Sequence, residues 1–129
     1  MAHLVVARFA DGRMVKGSTS DFGRERGAFH VQPMSADEDR VMVLVKDLKA
    51  LFFVNSLVGD RYYDEDKTWD PEMAGSRVEV TFRDGEVVRG FTVDAVEDPQ
   101  GFFMDPVDPG SNNARMYVVY RAVEKVDFV

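Results

Sequence analysis

The sequence predicts an all-β fold built from two tandem copies of a five-stranded unit, with little helix. Three observations carry this. The chain aligns with itself: residues 5–33 lie over 78–106 at a constant offset of 73, and 10 of the 29 aligned pairs are identical. Each copy places an Asp-Gly dipeptide, Asp11-Gly12 or Asp84-Gly85, between two apolar segments, the signature of a tight hairpin. The apolar residues around those turns alternate with period two, which is strand periodicity.

The elements follow in order. Val5, Ala7 and Phe9 share one face of a first strand, and Val78, Val80 and Phe82 repeat that face. The second strand of each copy carries a glycine, Gly17 or Gly90, five residues after the hairpin glycine. A glycine inside a strand marks a bend or a close backbone approach. A third strand covers 29–32 and 102–105 and is ended by Pro33 or Pro106. After a two-residue insertion in the second copy the offset becomes 75, and Arg40, Val43, Phe53 and Val54 meet Arg115, Val118, Phe128 and Val129. Those stretches supply a fourth strand at 41–46 and 116–121, a short turn at 47–49 and 122–124, and a fifth strand at 50–54 and 125–129. The chain therefore divides into a first repeat, 1–54, an acidic segment, 55–77, and a second repeat, 78–129. The middle segment holds three basic against six acidic residues, with Tyr62, Tyr63 and Trp69. A purely flexible linker does not usually spend three large aromatics.

The chain has 129 residues, a net charge of −7 and no cysteine. Disulfides, thiol catalysis and thiolate metal sites are excluded. No apolar run approaches the ~18 residues of a membrane span, and Arg8 and Asp11 interrupt the apolar start, unlike a secretory signal. A cytoplasmic protein without a membrane partner is the expectation. The copies differ in charge. Residues 5–54 hold eight Lys and Arg against seven acids, whereas 78–129 hold five against ten. An acidic surface repels a polyanion, so nucleic acid is a disfavoured partner and protein the expected one.

The bent second strand, its glycine and the short turn before the last strand resemble the Sm-like family of small SH3-like barrels. The tail Met116-Tyr117-Val118-Val119-Tyr120-Arg121-Ala122-Val123-Glu124-Lys125-Val126 is the closest part. It resembles the closing motif of the bacterial Sm-like RNA chaperone, with Tyr120-Arg121 where that family has Tyr-Lys. The resemblance implies two tandem barrels. It also implies edges formed by the fourth and fifth strands, which in a tandem chain could satisfy one another and leave a monomer or a simple dimer. It allows an alternative function, RNA or nucleotide binding through Arg24, Arg26, His30, Tyr120 and Arg121. Over nearly its whole length the chain also resembles an uncharacterised bacterial family, on the strings Asp47-Leu48-Lys49-Ala50-Leu51-Phe52-Phe53-Val54, Gly101-Phe102-Phe103 and Ser111-Asn112-Asn113. That resemblance implies no activity.

Chemical motifs are sparse. There is no nucleophile elbow and no phosphate loop. Asp64-Glu65-Asp66 starts like a calcium loop, but Trp69 and Gly75 stand where Gly and Glu are needed. The two histidines, His3 and His30, suit ordinary roles better than a catalytic or metal pair. No cofactor or metal and no catalytic residue is expected. The function expected is a non-catalytic binding or scaffold module, engaged in protein interaction or regulation. Its expected partner-binding residues are Tyr62, Tyr63 and Trp69 with the loop residues Asp105, Asp108, Ser111, Asn112 and Asn113, because recognition sits on loops held by a rigid scaffold.

Overall fold

The computed structural model describes residues 2–23, 25–34, 37–55, 75–92, 100–107 and 113–129. They form ten antiparallel strands: β1 (His3–Phe9), β2 (Met14–Thr19), β3 (Ala28–Pro33), β4 (Val41–Leu44), β5 (Leu48–Val54), β6 (Ser76–Phe82), β7 (Val87–Thr92), β8 (Gly101–Pro106), β9 (Asn113–Val119) and β10 (Val123–Phe128). The described helix is two 3-10 turns, Val45–Asp47 and Tyr120–Ala122.

Among the described residues the two halves repeat the same strand pairings. The strand order is β5-β1-β2-β3-β4 in the first and β10-β6-β7-β8-β9 in the second. The Phe9 amide donates to Arg13 O and the Phe82 amide to Glu86 O, closing hairpins whose Gly12 and Gly85 take φ of 96° and 94°. The Val45 amide donates to Gly27 O, and at aligned positions the Tyr120 amide donates to Gln100 O. Both 3-10 turns begin earlier than expected. Val45 turns inward and is buried, so the fourth strand stops at Leu44 instead of reaching residue 46.

The expectation of two closed barrels is not met. All ten strands run in one open order, β10-β6-β7-β8-β9-β5-β1-β2-β3-β4. The reason lies in β5 and β9. A strand has two edges, and those of β5 are taken by β1 and β9 while those of β9 are taken by β8 and β5. Neither half can therefore close its sheet on itself. The fourth strand of one half instead meets the fifth strand of the other, pairing Ala50 with Val118, Leu51 with Tyr117, Phe52 with Met116 and Phe53 with Arg115.

This seam divides the core into two clusters that exchange side chains across it. Ala50, Phe52 and Val54 of β5 pack with Val78, Val80, Phe82 and Phe102 of the second half. Tyr117 and Val119 of β9 pack with Val5, Phe29, Val31 and Leu51 of the first. The period-two strands behave as the pattern demands: Val5, Ala7, Val78 and Val80 are fully buried, and Phe29, Phe82 and Phe102 nearly so.

Gly17 and Gly90 are sites of close approach, not of unusual φ. A β-carbon on Gly17 would collide with Gln32 O, and one on Gly90 with Asp105 O, at the points where β2 pairs with β3 and β7 with β8. Gly17→Ala therefore costs about 1–3 kcal/mol in a denaturant titration, whereas Gly27→Ala, whose β-carbon enters open space, changes stability by less than ~0.5 kcal/mol.

Candidate functional site

At one end of the seam the two halves enclose a cleft of about 410 Å³ lined by His3, Thr19, Ser20, Phe22, Phe53, Phe103 and Arg115. Strand pairing builds it. Phe53 and Arg115 are cross-strand partners in the β5–β9 ladder, and His3 and Thr19 are partners in the β1–β2 ladder. Phe103 arrives on β8 and Phe22 on the segment that follows β2.

The cleft wall is aromatic. The Phe22 ring meets Phe53 at 5.9 Å, Phe103 at 6.1 Å and Tyr117 at 5.1 Å between centroids, edge to face. Phe53 and Phe103 lie 6.1 Å apart, and His3 meets Phe53 edge-on at 5.8 Å. Such contacts hold rings apart at fixed angles rather than letting them stack flat and close the gap. The rim is polar. The Arg115 guanidinium lies 5.7 Å from the Phe103 centroid, and its Nε donates to Asp105 Oδ1 at 3.0 Å. Half of the Arg115 side chain remains exposed. The site thus offers an apolar recess, the exposed Ser20 and a cation at its mouth, while the buried Thr19 hydroxyl donates to Asp21.

A second polar feature braces the segment bearing Phe22. Asp21 Oδ1 accepts from the His30 amide at 2.9 Å and Oδ2 meets His30 Nδ1 at 2.8 Å. These bonds, the backbone one first, hold the Asp21 carboxyl down at about 2 from its ordinary 3.8. A folded-state value below the unfolded one stabilises the protein above pH ~3.8, and that contribution disappears as the pH falls through ~2. Asp21→Asn should accordingly flatten the acid limb of a stability-versus-pH curve between ~4 and ~2. An unchanged slope there would mean the pair does not hold in solution.

The opposite end of the seam is ionic. Lys49 on β5 is buried. Its ammonium donates to Asp84 Oδ2 at 2.8 Å and to Glu86 on the β6–β7 hairpin, and lies 4.7 Å from the Phe82 ring centroid. The Lys49 hydrogen bond and the Glu86 amide together hold the Asp84 carboxyl below its ordinary value.

Of the residues expected to bind a partner, Asp105 lies beside the cleft through Arg115, and the Asn113 backbone pairs with Val54 at the seam. Tyr62, Tyr63, Trp69, Asp108, Ser111 and Asn112 lie outside the described residues. Of the alternative nucleic-acid set, Arg24 also lies outside them. Arg26 and Tyr120 are brought together, since Gln100 donates to Arg26 O and accepts from the Tyr120 amide. The Tyr120 ring packs on Phe102 at 5.5 Å. Arg121 gives its carbonyl to Arg83 and is exposed. His30 meets Asp21 through Nδ1 and is 41% exposed. Among the described residues no three His, Asp or Glu gather to hold a metal ion, and no helix is long and apolar enough to cross a membrane.

Sequence reasoning did not assemble His3, Thr19, Ser20, Phe22, Phe53, Phe103 and Arg115 into a site. The available signal was the identity of Arg40 with Arg115 and of Phe53 with Phe128 between the copies, which marks paired edge positions.

Comparison with known proteins places the whole chain, residues 1–129, in a match to a family of unknown function, DUF6982. The chain belongs to the DUF6982 family. No curated protein and no solved structure matches it. The expectation of an uncharacterised family is met in DUF6982.

Proposed function

We propose that the protein is a non-catalytic binding module whose recognition site is the seam cleft. Each five-stranded half serves as an Sm-like scaffold, and the partner is a protein segment in the cytoplasm. Such a segment would seat an aromatic or large aliphatic side chain among Phe22, Phe53 and Phe103, and direct a neighbouring carboxylate to Arg115. The observation that carries this is the cleft's composition: three phenyl rings, with Phe22 edge to face against Phe53 and Phe103, and a half-exposed arginine side chain at the mouth. Apolar recesses with a few convergent polar groups are where ligands bind, and aromatic and arginine residues dominate the energetics of protein interfaces.

Selection of a random peptide library against the folded chain tests the reading. Enriched peptides should pair an aromatic residue with a nearby acid. Ser20→Trp, which fills the cleft from an exposed rim position, should abolish their binding without lowering the melting temperature. Arg115→Glu should weaken it at least about tenfold. A labelled RNA pool that binds with a steep salt slope and is displaced by Ser20→Trp would instead favour the nucleic-acid alternative.

A further inference from the structure

We infer that the cleft recognises the C-terminal residue of a polypeptide, an aromatic one, with its ring on the phenyl wall and its α-carboxylate on Arg115. The inference rests on the cleft being a binding site and names what that site selects. The wall sets the first requirement. Phe22, Phe53 and Phe103 stand in a near-equilateral triangle, with centroids 5.9, 6.1 and 6.1 Å apart. Rings at that spacing already touch, so a fourth ring has no place between them. It caps the triangle from the open side, about 5–6 Å from each centroid.

The guanidinium sets the second. Its carbon lies 5.7 Å from the Phe103 centroid, so a capping ring and Arg115 share one neighbour. Their centres are then at most ~12 Å apart. A hydrogen-bonded carboxylate carbon stands ~4 Å from the guanidinium carbon, which leaves at most ~8 Å between ring centre and carboxylate. A carboxylate on the ring's own residue is about three bonds from the ring and about 5 Å from its centre. In an extended peptide the next side chain points to the other face, and the one after that starts ~6.7 Å further along. An α-carboxylate on the aromatic residue itself therefore falls well inside the limit, whereas an internal acid reaches it only at the outer bound.

Arg115 has donors left for that carboxylate. Its Nε donates to Asp105 Oδ1, and among the described residues its terminal amino groups have no hydrogen-bond partner. Two parallel N–H groups of this kind match the fork of a carboxylate. The rest of the lining separates a chain end from a free amino acid. No Asp or Glu is among the described residues that line the cleft, and the nearby Asp105 is engaged by Arg115. The ammonium of a free aromatic amino acid would lose water there and gain no anion, at a net cost. A C-terminal residue carries a neutral amide N–H at the same atom. Ser20, exposed on the rim, brings a hydroxyl that accepts such a hydrogen bond. Asp105 fixes the guanidinium and at the same time opposes the incoming charge, so it tunes the affinity without touching the ring.

Nuclear magnetic resonance titration of the full chain with a set of phenylalanine ligands tests this. An acetylated alanine peptide ending in phenylalanine, with a free carboxylate, should shift the signals of Phe22, Phe53 and Phe103. It should bind at least about tenfold tighter than the same peptide with an amidated end. Free phenylalanine should bind about tenfold more weakly than the free-acid peptide, and so should an amidated peptide with aspartate two residues after its phenylalanine. Arg115→Gln should make the acid and amide forms equal. Asp105→Asn keeps an oxygen acceptor for the Arg115 Nε and removes the opposing charge, so it should tighten the acid form about threefold and leave the amide form unchanged. The acid-against-amide comparison uses the unaltered chain and stands if either variant fails to fold. Equal binding of the acid and amide forms, or of free phenylalanine and the free-acid peptide, would overturn the inference and leave the cleft a binding site. No binding by any of these ligands would also overturn it, and a random library that yields no binder would overturn the cleft reading itself.

Discussion

Replacing Phe82 by alanine should lower the unfolding free energy by about 3–5 kcal/mol. Phe82 is 1% exposed at the end of β6 and packs with Val80, Phe102 and the β5 residues Phe52 and Ala50. It also forms the floor under the Lys49 ammonium. Truncation removes the transfer energy of a phenyl ring and opens a cavity that the crossing of β5 over the second-half core prevents from collapsing. A denaturant midpoint shift worth less than ~1 kcal/mol would show that the core is not organised around the seam.

The second large effect concerns Lys49. Replacing Asp84 by Asn together with Glu86 by Gln should cost about 3 kcal/mol, because the Lys49 side chain, only 8% exposed, then loses both of its negatively charged partners. Lys49→Met should cost less than ~1 kcal/mol, since Met fills similar volume and the two carboxylates, 54% and 41% exposed, return to water. The asymmetry between the two variants, measured in the same denaturant series, is the test. Equal losses would mean that the cluster is not buried at the seam. The depressed Asp84 carboxyl adds a pH dependence of the same sign as Asp21: its contribution is full above the ordinary carboxylate range and lost on acidification.

Much of this architecture was legible in local pattern. Asp11-Gly12 and Asp84-Gly85 announce hairpins, since only a glycine takes φ near 95° there without strain. The alternation of Val78, Val80 and Phe82 identifies the buried face before any tertiary contact is known. The self-alignment made Gly17 and Gly90 equivalent, and both are the close backbone approach that a glycine inside a strand announces. The seam was not legible, for a physical reason. Periodicity tells which face of a strand is buried but not which strand occupies its edge, and the paired residues of β5 and β9 lie about sixty positions or more apart along the chain. The cleft inherits that difficulty. Phe22, Phe53, Phe103 and Arg115 come from four different places and converge only once β5 and β9 pair. Polar loop residues such as Asp105 and Asn113 drew attention by composition; Asp105 sits on β8 beside Phe91 of β7 and takes the Arg115 Nε, and the Asn113 backbone pairs with Val54 at the seam.

The cleft exists only if β5 pairs with β9. Cross-strand nuclear Overhauser contacts in the full chain read that pairing directly. The account predicts backbone contacts of Phe52 with Met116 and of Ala50 with Val118, in antiparallel register. Contacts of β5 with β4 in their place would close the first half on itself, dismantle the cleft and contradict the account.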